Sequence, residues 1–220
     1  MKKRLTISLV SLISSFAAAL DIEPFLGWDV TRDPAVGISE YDYTDGTTEK
    51  LVAGDGFGLL IGTELFQLDK VSFDARIGAQ FKSMDATDVD GYDTSDVYYF
   101  FPVFLNANYE ISKRWSVSGG ASILLKPTYW QQYDGEDYFV TAKHSIGFNA
   151  ELRYLAIPAS LESKMETYYV FRYLHNNIEY DEIDDGDDTY DFDEYNDAYG
   201  LGLTGTEEIR ALQFGLKIRF

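Results

Sequence analysis

Leu212-Gln-Phe-Gly-Leu-Lys-Ile-Arg-Phe220 alternates without a break. Leu212, Phe214, Leu216, Ile218 and Phe220 carry hydrocarbon, whereas Gln213, Gly215, Lys217 and Arg219 are small, polar or charged. Successive side chains of a strand point to opposite faces, so this stretch reads as a strand with one oily and one wet face. A strand of a buried core does not normally oppose an all-hydrocarbon face to two cations placed so close together. A strand between lipid and a polar lumen does so by construction.

The same alternation recurs along the chain and predicts eight strands. They run over about Ile22 to Thr31, Gly56 to Phe66, Ser72 to Lys82, Val97 to Tyr109, Trp115 to Leu125, Val140 to Tyr154 and Leu161 to Leu174, with the last from near Glu207. Each reaches the ~9–11 residues that a tilted strand needs to cross a bilayer. Gln67 to Val71, Glu110 to Arg114 and Leu155 to Ser160 read as tight turns. Arg32 to Asp55, Met84 to Asp96, Lys126 to Phe139 and His175 to Thr206 read as long, polar loops. Short turns on one rim and long loops on the other belong to an all-β, eight-stranded antiparallel up-and-down transmembrane β-barrel, with periplasmic turns and acidic extracellular loops.

A soluble eight-stranded barrel is the structural rival, and it keeps its apolar face inside. Here the polar face carries acids and bases in comparable numbers, which points to a mutually neutralising lumen network. Its candidates are Asp74, Arg76, Lys82, Glu151, Arg153, Lys164, Glu166, Arg172, Lys217 and Arg219. Asn106 and Asn108 are expected inside as well. Trp28, Trp115, Tyr109, Tyr154 and Tyr173 fall where aromatic girdles lie. Glycines at Gly58, Gly62, Gly78, Gly120, Gly147 and Gly215 are expected to leave some room inside. A narrow porin-like conductance therefore stays open as an alternative, although wide water-filled pores need about sixteen strands.

Lys2, Lys3 and Arg4, an apolar run from Leu5 and Ala17-Ala18-Ala19 form the three parts of a secretory signal peptide over 1–19. The barrel domain is then expected over 20–220. Aromatics make up 16% of the 220 residues, and the mean hydropathy of −0.21 is what alternating lipid and lumen faces produce by cancellation. A formal charge of −19 repels phosphate backbones and argues against nucleic acid as a partner. The chain has no Cys, so stability has to come from strand pairing and packing. No cofactor motif is present.

The signal peptide, the terminal alternation and repeats such as Asn106-Ala-Asn-Tyr109 and Ser118-Gly-Gly-Ala121 resemble the small bacterial outer-membrane β-barrel proteins, the group that includes the OmpA transmembrane domain and OmpX. The resemblance covers nearly all of the chain after the leader. It implies contact with outer-membrane lipid and lipopolysaccharide. It also implies that Phe214, Leu216, Ile218 and Phe220 are read as an insertion signal by the barrel-insertion machinery. The chain departs from the OmpA pattern in lacking a segment after the last strand, so a peptidoglycan-anchoring role is not supported.

His175, in Phe171-Arg-Tyr-Leu-His-Asn-Asn177, is the sharpest enzymatic candidate. Lipid A deacylases are similar barrels with a His-x-Ser-Asn stretch in which the His activates the Ser. Here Asn177 stands in place of that Ser, and an amide cannot attack an ester. The acids between Glu179 and Asp197 make divalent cations conceivable partners, but they do not meet the calcium-loop spacing. A charge run this dense reads as a solvated face. The expectation is a non-enzymatic Gram-negative outer-membrane protein with an envelope-structural or surface-loop interaction role. A lipid A-modifying hydrolase using His175 and a narrow channel are the alternatives.

Overall fold

The computed structural model describes residues 20–29, 40–42, 48–50, 52–87, 93–133, 136–161, 163–186, 188–199 and 205–220. The expected signal peptide over 1–19, Val30, Thr31 and Glu162 lie outside the described residues. Strand β1 (Leu20–Asp29) precedes a short hairpin, β2 (Glu40–Asp42) and β3 (Thr48–Lys50). Long strands follow: β4 (Val52–Leu68), β5 (Val71–Thr87), β6 (Asp93–Glu110) and β7 (Trp115–Tyr133). Then come β8 (Glu136–Ala142), β9 (Ser145–Ile157), β10 (Glu166–Asp184) and the short β11 (Thr189–Asp191). Helix α1 (Phe192–Tyr199) and β12 (Thr206–Arg219) complete the order.

β1 pairs with β12 on one side and β4 on the other, and the ladder continues through β5, β6 and β7. β7 pairs with both β8 and β9, these pair with β10, and β10 pairs with β12. All of these pairings are antiparallel, so the path returns to β1 as a closed ring. The start of β1 and the carboxyl-terminal Phe220 meet at one rim, the chain-end rim, where the Phe220 amide donates to the Leu20 carbonyl at 3.1 Å. The connections at that rim are short. One is the Asp69–Lys70 turn, in which Asp69 takes a left-handed conformation (φ 54°) that an Asp tolerates better than a β-branched residue does.

Along single strands the ring reverses its polarity. Near the chain-end rim, Tyr169 and Phe171 of β10 face outward and exposed, while Arg172 between Phe171 and Tyr173 is buried. Further along β10, Asn177 and Glu179 face outward, while Leu174, Ile178 and Tyr180 are buried. β12 repeats the change: Leu212 and Leu216 lie outside Gln213 and Lys217, whereas Arg210 and Glu208 lie outside Ala211 and Ile209. The lower ring is oily outside and ionic inside. The upper ring is polar outside and apolar inside, with Tyr98, Tyr129, Ile178, Ile183 and Ile209 packed in one core. Phe192 of α1 closes that core by stacking on Tyr180 with ring centroids 5.5 Å apart.

This upper storey corrects several expectations. Met84 to Asp96, Lys126 to Phe139 and His175 to Thr206 are largely strand and helix rather than long loops, because β5, β6, β7, β8 and β10 continue past the oily belt. On β10 the outward residues there, Asn177 and Glu179, are polar, which hides the strand from a template that seeks an oily outer face. The expected strand Val140 to Tyr154 is interrupted at Lys143–His144, dividing β8 from β9. The expected seventh strand begins at Glu166 rather than Leu161, so the turn before it is longer than the sequence predicts.

The inward glycines do not leave room inside. A Cβ at Gly62 would come within 2.2 Å of Arg76 Cγ, one at Gly58 within 2.3 Å of the Phe25 ring, and one at Gly215 within 2.8 Å of Glu23 Oε1. Each missing side chain is matched by a large neighbour that fills its space.

Candidate functional site

The lower lumen is built from residues that alternate inward on β1, β5, β9, β10 and β12. On β1 these are Asp21 and Glu23, on β5 Asp74 and Arg76, and on β9 Glu151 and Arg153; Arg172 and Lys217 come from β10 and β12. Arg76 donates to Asp74 at 3.1 Å, to Glu23 at 2.9 Å and to Glu151 at 2.7 Å. Glu151 also accepts from Arg172 at 2.6 Å and from Arg153 at 2.8 and 2.6 Å. Arg172 further donates to Glu23 and, at 2.7 Å, to Gln213. Its guanidinium lies over the Phe104 ring at 4.7 Å and the Phe25 ring at 5.7 Å.

The choice of arginine follows from geometry. A guanidinium presents five N–H donors in a rigid plane, so one side chain bridges several carboxylates from different strands. Each ion out of water costs several kcal/mol on the order of magnitude, and that cost is offset only when neighbouring charges and hydrogen bonds saturate it. Asp21, Glu23, Asp74 and Glu151 set against Arg76, Arg153, Arg172 and Lys217 leave no net charge within this set. Phe25, Leu60, Phe104 and Leu124 are buried as well, so the ionic layer and an apolar layer together fill the barrel.

Of the sequence candidates, Asp74, Arg76, Glu151, Arg153, Arg172 and Lys217 meet in this layer. Lys82 is buried on the same face of β5, farther from the chain-end rim. Arg219 lies half-buried at the rim, 3.0 Å from Asp21 and 3.4 Å from Glu64. Glu166, also half-buried, accepts the Tyr168 hydroxyl at 2.5 Å and joins no ion pair among the described residues. Lys164 is corrected outright: it is exposed in the turn ahead of β10, where no strand directs it inward. Asn106 and Asn108 are buried inside. Asp21 and Glu23 are members that the sequence reading missed. The signal was available, because both share the parity of Phe25 and oppose Ile22, Leu26 and Trp28.

Outside the ring, Phe220 and Leu216 are exposed, and Phe214 and Ile218 are half-buried. At the chain-end rim Trp115 packs tilted against Tyr154 with centroids 4.8 Å apart, and Tyr109 is exposed. Trp28 and Tyr173 both register against Leu212 at the other edge of the belt.

His175 faces outward. It lies 4.9 Å from the Phe148 ring, with Nδ1 3.4 Å from Glu208 Oε1. The hydroxyls of Ser145 on the adjoining β9 and of Ser122 on β7 beyond it are buried on the inner face, across the sheet from this imidazole. Further up the exterior, Lys143 donates to Glu179 at 2.6 Å, and that hydrogen bond holds the ammonium above its ordinary pKa range.

The acidic segment is ordered by its own carboxylates. Asp184 accepts from the Gly186 amide at 2.9 Å, and Asp185 from the Asp188 amide at 3.0 Å. Asp191 accepts from the Asp193 and Glu194 amides at 3.0 and 3.2 Å, which caps α1. Among the described residues, no group of His, Asp and Glu converges as a metal site would require.

No protein-family model and no curated protein sequence matches the chain. Among solved structures it is similar to Neisserial surface protein A at 10% identity, covering 91% of this chain and 94% of that one with a TM-score of 0.44. It is similar to the outer membrane protein OprG from Pseudomonas aeruginosa at 12% identity, with 92% and 96% covered and a TM-score of 0.47. An outer membrane channel from Pseudomonas putida F1 aligns at 10% identity, with 92% and 96% covered and a TM-score of 0.31.

Proposed function

We propose that this chain is an integral outer-membrane β-barrel protein of a Gram-negative bacterium, with an envelope-structural or surface-interaction role and no catalytic activity. Counting β8 and β9 as one interrupted stave gives an eight-stave antiparallel barrel over 20–220, exported by a cleaved leader over 1–19. The observation that carries this reading is the inversion in the lower ring, where exposed Phe171 and Leu216 flank buried Arg172 and Lys217. In water, that arrangement would leave each outward Leu or Phe without the roughly 1.5–3 kcal/mol that burial supplies. In a bilayer the same faces are satisfied.

The belt has a suitable height. From Ile146 to Tyr154 on β9, at ~3.4 Å per residue and ~40° tilt, it rises about 20 Å, against the ~25 Å apolar band of such barrels. The rim with short turns and chain ends is periplasmic in this reading, and the upper storey with α1 and its capping acids stands outside the cell. Phe214, Leu216, Ile218 and Phe220 form the insertion signal. The filled lumen weighs against the channel alternative, and the outward His175, across the sheet from the buried hydroxyls, weighs against the hydrolase.

The decisive test is folding into lipid. The chain is expected to migrate differently before and after boiling in a detergent gel and to give no stepwise currents in planar bilayers. Lipid A incubated with it is expected to keep its mass. A water-soluble monomer that folds without detergent overturns the membrane reading. Lipid A deacylation that is lost in His175→Ala would revive the enzyme.

A further inference from the structure

At the chain-end rim the ionic layer is the floor of an open recess of about 850 Å³, counting the part open to solvent. Its charge is opposite to that of the molecule. Arg153 and Lys217 on its floor are balanced by Asp21, Asp74 and Glu151, and the remaining charged lining, Lys70, Lys113, Arg114 and Arg219 against Glu64, Glu110 and Glu166, keeps a small positive excess in a chain whose formal charge is −19. Two of those acids are already engaged, Glu64 by Arg219 at 3.4 Å and Glu166 by the Tyr168 hydroxyl at 2.5 Å. Lys70 and Lys113 belong to the turns at the mouth, and neither joins an ion pair among the described residues.

The floor supplies a second, independent observation. Lys217 is 1% exposed, and its Nζ touches one carboxylate oxygen, Asp21 Oδ2 at 2.5 Å, with no further acceptor for its other hydrogens. Asn108, 6% exposed, spends its amide hydrogens on Ser72 and Asp74 and leaves Oδ1 with no donor. Both residues line the recess. A buried polar atom left without a partner costs about 1–3 kcal/mol, so an unfilled donor and an unfilled acceptor among the residues that line one recess point to an occupant.

We propose that this recess binds a small anion bearing a hydrogen phosphate group. Its charged oxygens meet Lys217 on the floor and Lys70 and Lys113 at the mouth, and its P–OH donates to Asn108 Oδ1. The shared chemistry is a phosphate group that keeps a P–OH, which inorganic phosphate or a free phosphomonoester and the phosphomonoester headgroup of a lipid such as phosphatidic acid, folded over the rim, both offer.

Inorganic phosphate is the probe, titrated into the full chain in phosphatidylcholine nanodiscs while the backbone amides of Ser112 to Trp115 are followed by NMR. The expected result is a saturable shift, with the midpoint raised at least tenfold in Lys70→Gln/Lys113→Gln and unchanged in Lys143→Gln at the opposite end. Both lysines of the double variant sit in exposed turns, and retained heat-modifiable migration reports that it folds. Repeating the titration in phosphatidylcholine nanodiscs that contain phosphatidic acid, a phosphomonoester lipid, separates the sources. A raised midpoint assigns the site to a lipid headgroup, and an unchanged one assigns it to a soluble phosphate. A shift that never saturates, or one that the double variant reproduces, overturns the proposal.

Discussion

Arg172 Nε lies 2.6 Å from Glu151 Oε1, and the two residues face each other across the β9–β10 ladder, both fully enclosed. Their outward neighbours Phe171 and Leu152, also register partners, are exposed. The sheet at this point is one peptide thick between an ion pair and hydrocarbon, so charge and oil are held apart by backbone alone.

Removing one member of that pair strands its partners. Arg172→Ala takes a cation from both Glu151 and Glu23 and is expected to cost about 3–5 kcal/mol. Reversible urea unfolding from lipid vesicles measures it. The double change Glu151→Gln/Arg172→Gln is expected to cost less than the sum of its singles. Strict additivity would show that the two groups do not interact.

The polarity inversion makes an arginine scan along one strand sharply uneven. Phe171→Arg places a cation on the lipid face and is expected to cost about 2–4 kcal/mol. Asn177→Arg, six positions further along β10 on the same outward face, is expected to stay within about 0.5 kcal/mol. Equal penalties at the two sites would mean that the oily belt does not end near Tyr173.

Gly62 tests whether the lumen is full. Gly62→Ala drives its Cβ to within 2.2 Å of Arg76 Cγ and 2.6 Å of the Ala75 carbonyl, and overpacking of this kind costs about 1–3 kcal/mol. Gly119→Ala is the control, since a Cβ there meets only the Asn149 carbonyl at 3.6 Å. Thermal unfolding should separate the two, and a Gly62→Ala barrel as stable as the parent would argue for free space inside.

Asp191 caps α1 from outside the belt. Asp191→Ala is expected to cost the cap about 0.5–2 kcal/mol, confined to the upper storey. Hydrogen exchange should rise in Phe192–Tyr199 while the amides of Phe171 and Leu152 keep their protection. Loosening of the belt strands would show that α1 is coupled to the membrane barrel.

The lower ring was legible because its signal is strong and local. Phe73, Ile77 and Phe81 against Asp74, Arg76 and Lys82 differ at every step, and a strand's period does not drift. The upper ring was not legible in the same way. There Leu174, Ile178 and Tyr180 keep the period but change parity, and the polar residues outside them read as loop. The division of one expected strand at Lys143–His144 was likewise invisible, because nothing about those two residues prevents a continuous ladder.

What the residue order determined by itself was the alternation, and therefore which side chains share a face of each strand. That follows from backbone geometry and needs no partner. Which faces meet was decided only by closing the ring. Glu23, Arg76, Glu151 and Arg172 come from four distant stretches, and no spacing in the chain relates them. They converge because register and closure bring their inward positions to one height. There each guanidinium finds enough carboxylate oxygens to compensate for leaving water.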